Sequence, residues 1–507
     1  MNANLYALLA QQFPPDQQRV CIDTHDGLHY TWDDLERASA RIANLLRNLD
    51  LPAQSRIAAQ VDKSPDALML YLATLRAGHV FVPLNTAYRA AEMATFIDDA
   101  RPAVVVCAPA NFGWIAKLAF SAHTSHVFTL DDQRRGSLLE RAALHSDEFD
   151  TVSVNGDALA ALLYTSGTTG RSKGAMLTHH NLWTNALVLK EFWAWQADDV
   201  LLHALPLFHI HGLFVACHGA LINGSKMIFL PKFEASEVLR RLPEATVFMG
   251  VPTYYVRLLA EPKFDRAACR TIRLFVSGSA PLLTDTFCDF QTRTGMTILE
   301  RYGMSETAML TSNPYQGERR SGTVGVALPG VAVRVADALG RPCATDQIGA
   351  IEVRGPNVFA GYWQLPEKTA QEFTTDGYFI TGDLGRFDSD GYLQIVGRSK
   401  DLIISGGYNI YPKEIESFVD ALDGVIESAV IGVPHTDFGE AVVAVVVTGP
   451  NAAITEASIM TALKATIAGF KVPKRVHFVD ALPRNAMSKV QKNLLRERFG
   501  GAELTTI

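Results

Sequence analysis

The stretch Tyr164–Gly174, YTSGTTGRSKG, limits what this chain can fold into more than any other. It follows directly on the apolar run ALAALL (158–163), which reads as a buried strand, and it is expected to lead into a helix. Glycines and small hydroxyl residues let backbone N–H groups and side-chain hydroxyls come close to phosphate oxygens, and Lys173 adds a point charge. In composition the segment is a phosphate cradle, against the plainer reading of a flexible Ser/Gly/Thr linker. It is not a Walker loop, because no G-x-x-x-x-G-K-[ST] register can be laid on it.

The sequence before this loop alternates helical patterns with short apolar runs. Thr31 and Asp34 form a capping pair, after which Leu35, Ala38, Ile42 and Leu45 fall on one helical face. Ser64 and Pro65 open a second helix that ends near Gly78, and Ala103–Cys107 has the continuous apolar character of a strand covered on both faces. This is α/β patterning, with parallel sheets and helices packed outside. From about Gly349 the runs IEVRG, GYFITGD and YLQIVG suggest a small β-rich subdomain, with 388–391 as a hairpin turn. A terminal α/β unit of about 100 residues follows, with Ile415, Phe418, Val419 and Leu422 on one helical face.

At 507 residues several domains are expected, and 48% hydrophobic with 20% charged residues is a globular composition, not a disordered one. A net charge of -7 gives no global reason to bind nucleic acid or an anionic membrane. Any anionic ligand must be met by a local basic site. Cys21, Cys107, Cys217, Cys269, Cys288 and Cys343 are scattered without metal-ligand spacing and read as buried free thiols. Leu201–Ile222 is the most membrane-like segment, but its four histidines, proline and glycines argue for a buried pocket wall. With no signal-like start, a cytoplasmic location is expected.

Beyond the phosphate loop stand SGSAPL (277–282), ERYGMSET (300–307), GYW (361–363), TGD (381–383), GRSKDLIISGGYNIYPKEIE (397–416) and PRNAMSKVQK (483–492). Their wording and order resemble the ANL superfamily of adenylate-forming enzymes, which includes acyl-CoA synthetases. The resemblance spans nearly the whole chain. It implies a large N-terminal domain (1–399) of stacked α/β subdomains with a small β-rich subdomain, and a small mobile α/β C-terminal domain (400–507). An active site between them is implied as well.

The resemblance also assigns roles. ATP and CoA are co-substrates, and Mg2+ is held by Thr165 and Glu306, whose oxygens suit that ion. Ser166, Gly167, Thr168, Thr169, Gly170 and Lys173 cradle phosphates. Gly278, Ser279 and Ala280, with Glu300, Arg301, Tyr302, Gly303, Met304 and Ser305, surround the nucleotide: Tyr302 offers a face to adenine, and the small residues let a flat ring lie against backbone. Asp383 and Arg398 contact ribose. Lys489 acts on the carboxylate and α-phosphate, with Ser488 standing where glycine is common. Lys400 is the hinge on which the C-terminal domain turns between half-reactions, and Gly406 and Gly407 line a CoA channel. Lys489 would be a target for a lysine acetylase and deacetylase. Without the resemblance, Tyr302 has an alternative reading as a core aromatic and Glu306 as a helix cap, while Asp383 reads as a turn residue and Lys489 as a solvated lysine.

HALPLFHIHGLF (203–214) and MGVPTYYVRLL (249–259) are expected to build the acid pocket. They place His209, His211 and Arg257 among apolar residues, where an unpaired buried arginine asks for a partner. Arg257, helped by His209, then binds a second carboxylate, unless Arg257 is simply a helix-surface residue; Ser277 is a further substrate-binding residue. The wording of these segments, together with YLATLRAG, VPLNTAY, TSGTTGRSKGAMLTH, LPKF, SGSAPLL, TSNPY, GPNVF and NIYPKEIES along the chain, resembles the malonyl-CoA synthetases of the superfamily, which implies malonate as substrate and methylmalonate as a secondary one. A CoA ligase for another short, medium-chain or aryl acid, a carrier-loading enzyme and a non-catalytic nucleotide-binding regulatory protein are the alternatives.

Overall fold

Local signals set the first helices. In the computed structural model, Thr31 Oγ1 accepts from Asp34 N and Asp34 accepts from Thr31 N, closing the capping box of helix Trp32–Arg47. Ser64 caps helix Pro65–Arg76, all of whose residues are buried. Tyr71 shows why: its ring packs on Phe81, Phe214 and His218, so this helix is covered on more than one side. The structure describes residues 2–165, 172–405, 408–435, 439–450, 452–485 and 489–500.

The chain divides into two compact units, one of Met1–Val333 and Val353–Phe379, the other of Arg334–Glu352 and Ile380–Ile507. Residues 334–352 and 380–399, which the sequence reading counts with the large domain, lie in the second unit.

Among the described residues the first unit contains two large sheets. The six-stranded sheet has the order His126–Thr129, Val104–Cys107, Arg56–Gln60, Val80–Pro83, Leu159–Thr165, Lys173–Thr178, parallel except for the last pair. The nine-stranded sheet has six parallel strands at its centre: Ile298–Met304, Leu274–Ser277, Val247–Gly250, Val200–His203, Lys226–Phe229 and Val20–Thr24. The central strands are buried, as expected of parallel sheets covered on both faces. Leu201–Ile222 forms a strand end, a π-helical stretch His211–Cys217 and a short helix, nearly all buried. No helix among the described residues is long and apolar enough to cross a membrane.

In the second unit, Gly439–Thr448 is the centre of a five-stranded sheet. Its alternation decides both layers: Val442, Ala444 and Val446 face a core with Ile415, Val419, Ile459 and Leu463, whereas Ala441, Val443 and Val445 face Leu482 and Leu495. A second sheet runs Ala332–Ala336, Gly349–Arg354, Phe379–Phe387, Leu393–Arg398, with the expected turn at 388–391.

Three local expectations are corrected. Strand Leu159–Thr165 is followed in the chain by its antiparallel partner Lys173–Thr178 and not by a helix; the helix starts at His179. Helix Pro412–Asp420 buries Ile415 and Val419 but leaves Phe418 exposed, and Leu422 lies beyond its end. Cys288 is exposed and Cys343 half-buried, although the other four thiols are buried as expected.

Candidate active site

Open parallel sheets collect ligands at the carboxyl ends of their strands, because the following loops and helix starts converge there. The predicted site residues of the first unit lie at such ends. Thr165 closes strand Leu159–Thr165, Ser277–Ala280 follow Leu274–Ser277, and Glu300–Ser305 occupy and leave Ile298–Met304. His209 and His211 follow strand Val200–His203, and Arg257 sits on the helix Pro252–Leu259 after Val247–Gly250.

Thr165 and Lys173 face each other across the phosphate hairpin, with Thr165 Oγ1 donating to the Lys173 carbonyl at 3.4 Å. Ser166, Gly167, Thr168, Thr169 and Gly170 lie outside the described residues. The chain returns here at 360–363. Met176 N donates to Gly361 O, Ala360 N to Met176 O and Trp363 N to Gly174 O, so this segment runs as an added antiparallel edge. That edge sets Tyr362 under Lys173, whose Nζ is 4.1 Å from the ring centre and 3.0 Å from Glu372 Oε1. Burial tends to raise the Glu372 carboxyl, but hydrogen bonds from Lys368 and Lys173 outweigh it and hold it below the usual carboxylate range.

The Tyr362 hydroxyl lies 3.1 Å from Glu306 Oε1 and 3.3 Å from Glu372 Oε2. Burial, and then the two carboxylates, push its pKa far up, so it stays a donor. Glu306 is buried in the turn between strands Ile298–Met304 and Ala308–Ser312, and its carbonyl accepts from Phe359 N. It caps no helix. Gly303 sits at the irregularity of this hairpin, where a Cβ would come 2.0 Å from Ala308 O. Tyr302 is 8% exposed, leaving little free ring surface.

Arg301 is 3% exposed, and among the described residues it makes no ion pair; Nε and Nη2 are buried without hydrogen-bond partners. Desolvation pulls its pKa down to about 9, against the opposing influence of Tyr255 and Glu300. The nearest carboxylate in that balance, Glu300, accepts from Leu282 N. Ser277 Oγ and His211 Nε2 are also buried without partners, and His211 Nδ1 lies 3.4 Å from Ser279 Oγ. Burial holds the His211 pKa well below its usual value, helped by Arg301, so the imidazole is neutral. Gly278 was expected to make room for a flat ring. Its missing Cβ instead makes room for Arg301, since that atom would lie 2.3 Å from the guanidinium carbon.

Arg257 is exposed on its helix, which removes the premise that it is a buried cation. Its charge still reaches Tyr254. His209 is half-buried, and its Nδ1 accepts from His211 N at 3.3 Å.

In the second unit Asp383 and Arg398 are register partners on neighbouring strands. Arg398 Nε pairs with Asp383 Oδ1 at 2.8 Å and Nη1 donates to Thr381 O at 3.2 Å, so the buried carboxylate has a fixed orientation. Lys400 is exposed in the turn Ser399–Asp401, and Gly406 and Gly407 lie outside the described residues. Lys489 is half-buried on the return arm of a small hairpin, with Asn485 N donating to Lys489 O and Lys489 N to Asn485 Oδ1.

Residues 9–363 match the family model for an AMP-binding enzyme, and 414–489 the model for the AMP-binding enzyme C-terminal domain. The chain belongs to the AMP-binding enzyme family. Its fold resembles ATP-bound MatB from Rhodopseudomonas palustris, with 53% identity, a TM-score of 0.97 and 99% coverage of both chains. A malonate–CoA ligase from Arabidopsis thaliana is 34% identical over 94% of this chain and 86% of its own. A feruloyl-CoA synthase from Amycolatopsis sp is 36% identical over 94% and 95%. AMP-binding enzymes of similar identity thus carry different acids in their names, and the acid must be read from the pocket. There the sequence reading missed Arg301, which it placed among nucleotide residues, and Tyr362 and Glu372, which it left without roles. A charged residue inside a strand as apolar as ILERYGM was the available signal for Arg301.

Proposed function

We propose that this chain is an acid–thiol ligase that joins malonate to coenzyme A through malonyl-adenylate, releasing pyrophosphate and then AMP. The observation that carries the acid assignment is Arg301. A buried guanidinium with unmade hydrogen bonds is costly, and an anion placed against it recovers those bonds in planar, bidentate geometry. Ser277 and neutral His211 add a hydroxyl and an imidazole. This set suits the second carboxylate of a dicarboxylic acid and has nothing to offer a hydrocarbon chain. The likeness to a malonate–CoA ligase supports the same reading. Arg257 and His209 remain assigned to the outer part of the acid site.

In the first half-reaction a carboxylate oxygen attacks the α-phosphorus of ATP and pyrophosphate leaves. Lys173 and the hairpin backbone hold phosphate oxygens, so Lys173 exchanges Glu372 for phosphate when ATP arrives. Thr165 and Glu306 offer the hard oxygen donors that Mg2+ prefers. Among the described residues no group of three or more His, Cys, Asp or Glu could hold a metal alone, so the ion's remaining ligands would come from phosphate and water. When bound it would neutralise charge on the leaving pyrophosphate. Tyr302, Gly303, Met304 and Ser305 are assigned to the nucleotide, Asp383 to the ribose hydroxyls with Arg398 orienting it, and Lys489 to the α-phosphate. In the second half-reaction the CoA thiolate attacks the acyl carbonyl and AMP leaves. Lys400 is assigned as the backbone hinge between the two, which Lys400→Pro would test by sparing adenylation over thioester formation. Acetylation of Lys489 would remove its charge and stop adenylation.

The test is a panel of malonate, methylmalonate, acetate, butyrate and ferulate, scored by AMP release with CoA present. Malonate should lead. A monocarboxylate that matches or exceeds it would remove the acid assignment and leave a ligase of another substrate.

A further inference from the structure

Resting on the reading that Lys489 drives adenylation, we propose that two ion pairs, Lys492–Glu416 and Arg484–Glu427, position the Lys489 hairpin, with Glu416 as the principal positioning residue. Lys489 does not lie on a long element of secondary structure. Its hairpin is closed by Gln491 N donating to Pro483 O at 2.8 Å and by an isolated bridge between Arg484 and Val490. So short a hairpin has little stability of its own, and its direction depends on what holds its arms.

Each arm ends in a cation paired to the body of the second unit. On the outgoing arm Arg484 pairs with Glu427, on strand Val425–His435. On the return arm Lys492, three residues after Lys489, opens helix Lys492–Phe499, and its Nζ reaches Glu416 Oε1 at 2.5 Å. Glu416 is buried on helix Pro412–Asp420 and also accepts from Val430 N at 2.9 Å, while Lys413 lies 3.9 Å from its second oxygen. One carboxylate therefore ties together a helix, a strand and the residue that follows the hairpin. Burial would raise the Glu416 carboxyl, but Lys492 and Lys413 hold it below its usual value, so it stays charged. The acidic group beside this site is Asp420 on the same helix, which accepts from Ser428 and lies 4.0 Å from Lys413. A lysine that must meet a developing phosphate charge within a fraction of an ångström depends on such anchoring.

The experiment uses the full chain and measures two half-reactions: ATP–pyrophosphate exchange with malonate, and thioester formation from supplied malonyl-adenylate and CoA. Glu416→Gln and Lys492→Met should lower exchange kcat by about 10- to 100-fold with little change in the KM for ATP. Thioester formation should be unchanged, and Lys492→Arg should recover exchange. If Glu416→Gln melts early, Arg484→Gln and Glu427→Gln at the more exposed arm give the same readout with a smaller loss. Equal losses in both half-reactions, or none in either, overturn the proposal. Lys489→Ala runs beside them: full exchange in that variant removes the role of Lys489 itself, whereas its loss with normal exchange in Glu416→Gln removes only the positioning role.

Discussion

Gly278 lies against the guanidinium of Arg301 so closely that a single methyl group on it would come 2.3 Å from the guanidinium carbon. The neighbour in the way is a buried cation with two nitrogens, Nε and Nη2, that lack hydrogen-bond partners, so the cost of adding that methyl falls on the acid site. Gly278→Ala should displace Arg301 and lower kcat/KM for malonate by about 10²-fold, as small misplacements in a site do. Kinetics on the purified variant check this; an unchanged malonate constant means Arg301 moves aside at no cost to the acid.

Arg301→Met separates function from stability. Removing an unpaired buried charge for an apolar side chain of similar length should leave the melting temperature level or raise it. Malonate activity should fall by about 3 kcal/mol, a little over 10²-fold, with butyrate activity preserved or gained. A calorimetric scan and a two-acid assay answer both parts. Arg257→Ala in the same assay should cost less, because Arg257 is exposed.

Tyr362→Phe removes one hydroxyl from the space between Glu306 and Glu372. The ring stays, so the contact with Lys173 stays. Two carboxylates lose their shared donor, and pyrophosphate exchange should fall by roughly tenfold, within the range for residues that orient ligands of a metal. Titrating Mg2+ in the exchange assay should show a higher requirement. A normal Mg2+ dependence would detach Tyr362 from Glu306.

Buried histidines set the acid limit of the first unit. Burial pushes His79 and His179 down to about 4 and His218 to about 3, so all three fold as neutral imidazoles. The unfolded chain protonates them near 6.5 while the folded chain does not. Stability is therefore full above pH 6.5 and is lost as pH falls toward 4, at roughly 3 kcal/mol per histidine. Unfolding free energies in denaturant across pH 7 to 4.5 should drop steeply; a flat profile would falsify the neutral assignment.

Much of this architecture is written in local sequence. The capping pair at Thr31 and Asp34 and the turn at 388–391 are set by neighbours a few residues away, and both are present. The phosphate loop was legible in composition but not in what followed it. Lys173–Thr178 pairs with Leu159–Thr165 and with the distant segment at 361–363, and tertiary pairing of that kind leaves no periodic trace. Arginine placement was the least legible. Arg257 and Arg301 both stand among apolar residues, yet one lies on the outer face of a helix and the other on a central strand. Which one is buried depends on what packs above them.

The central claim is that a buried cation selects a dicarboxylic acid for ligation to CoA. The most direct measurement is kcat/KM for malonate relative to butyrate, by AMP release with CoA, in the natural chain and in Arg301→Met. The expected result is a strong preference for malonate that collapses or inverts in the variant. An equal preference in both proteins, or a natural chain that favours butyrate, would contradict it.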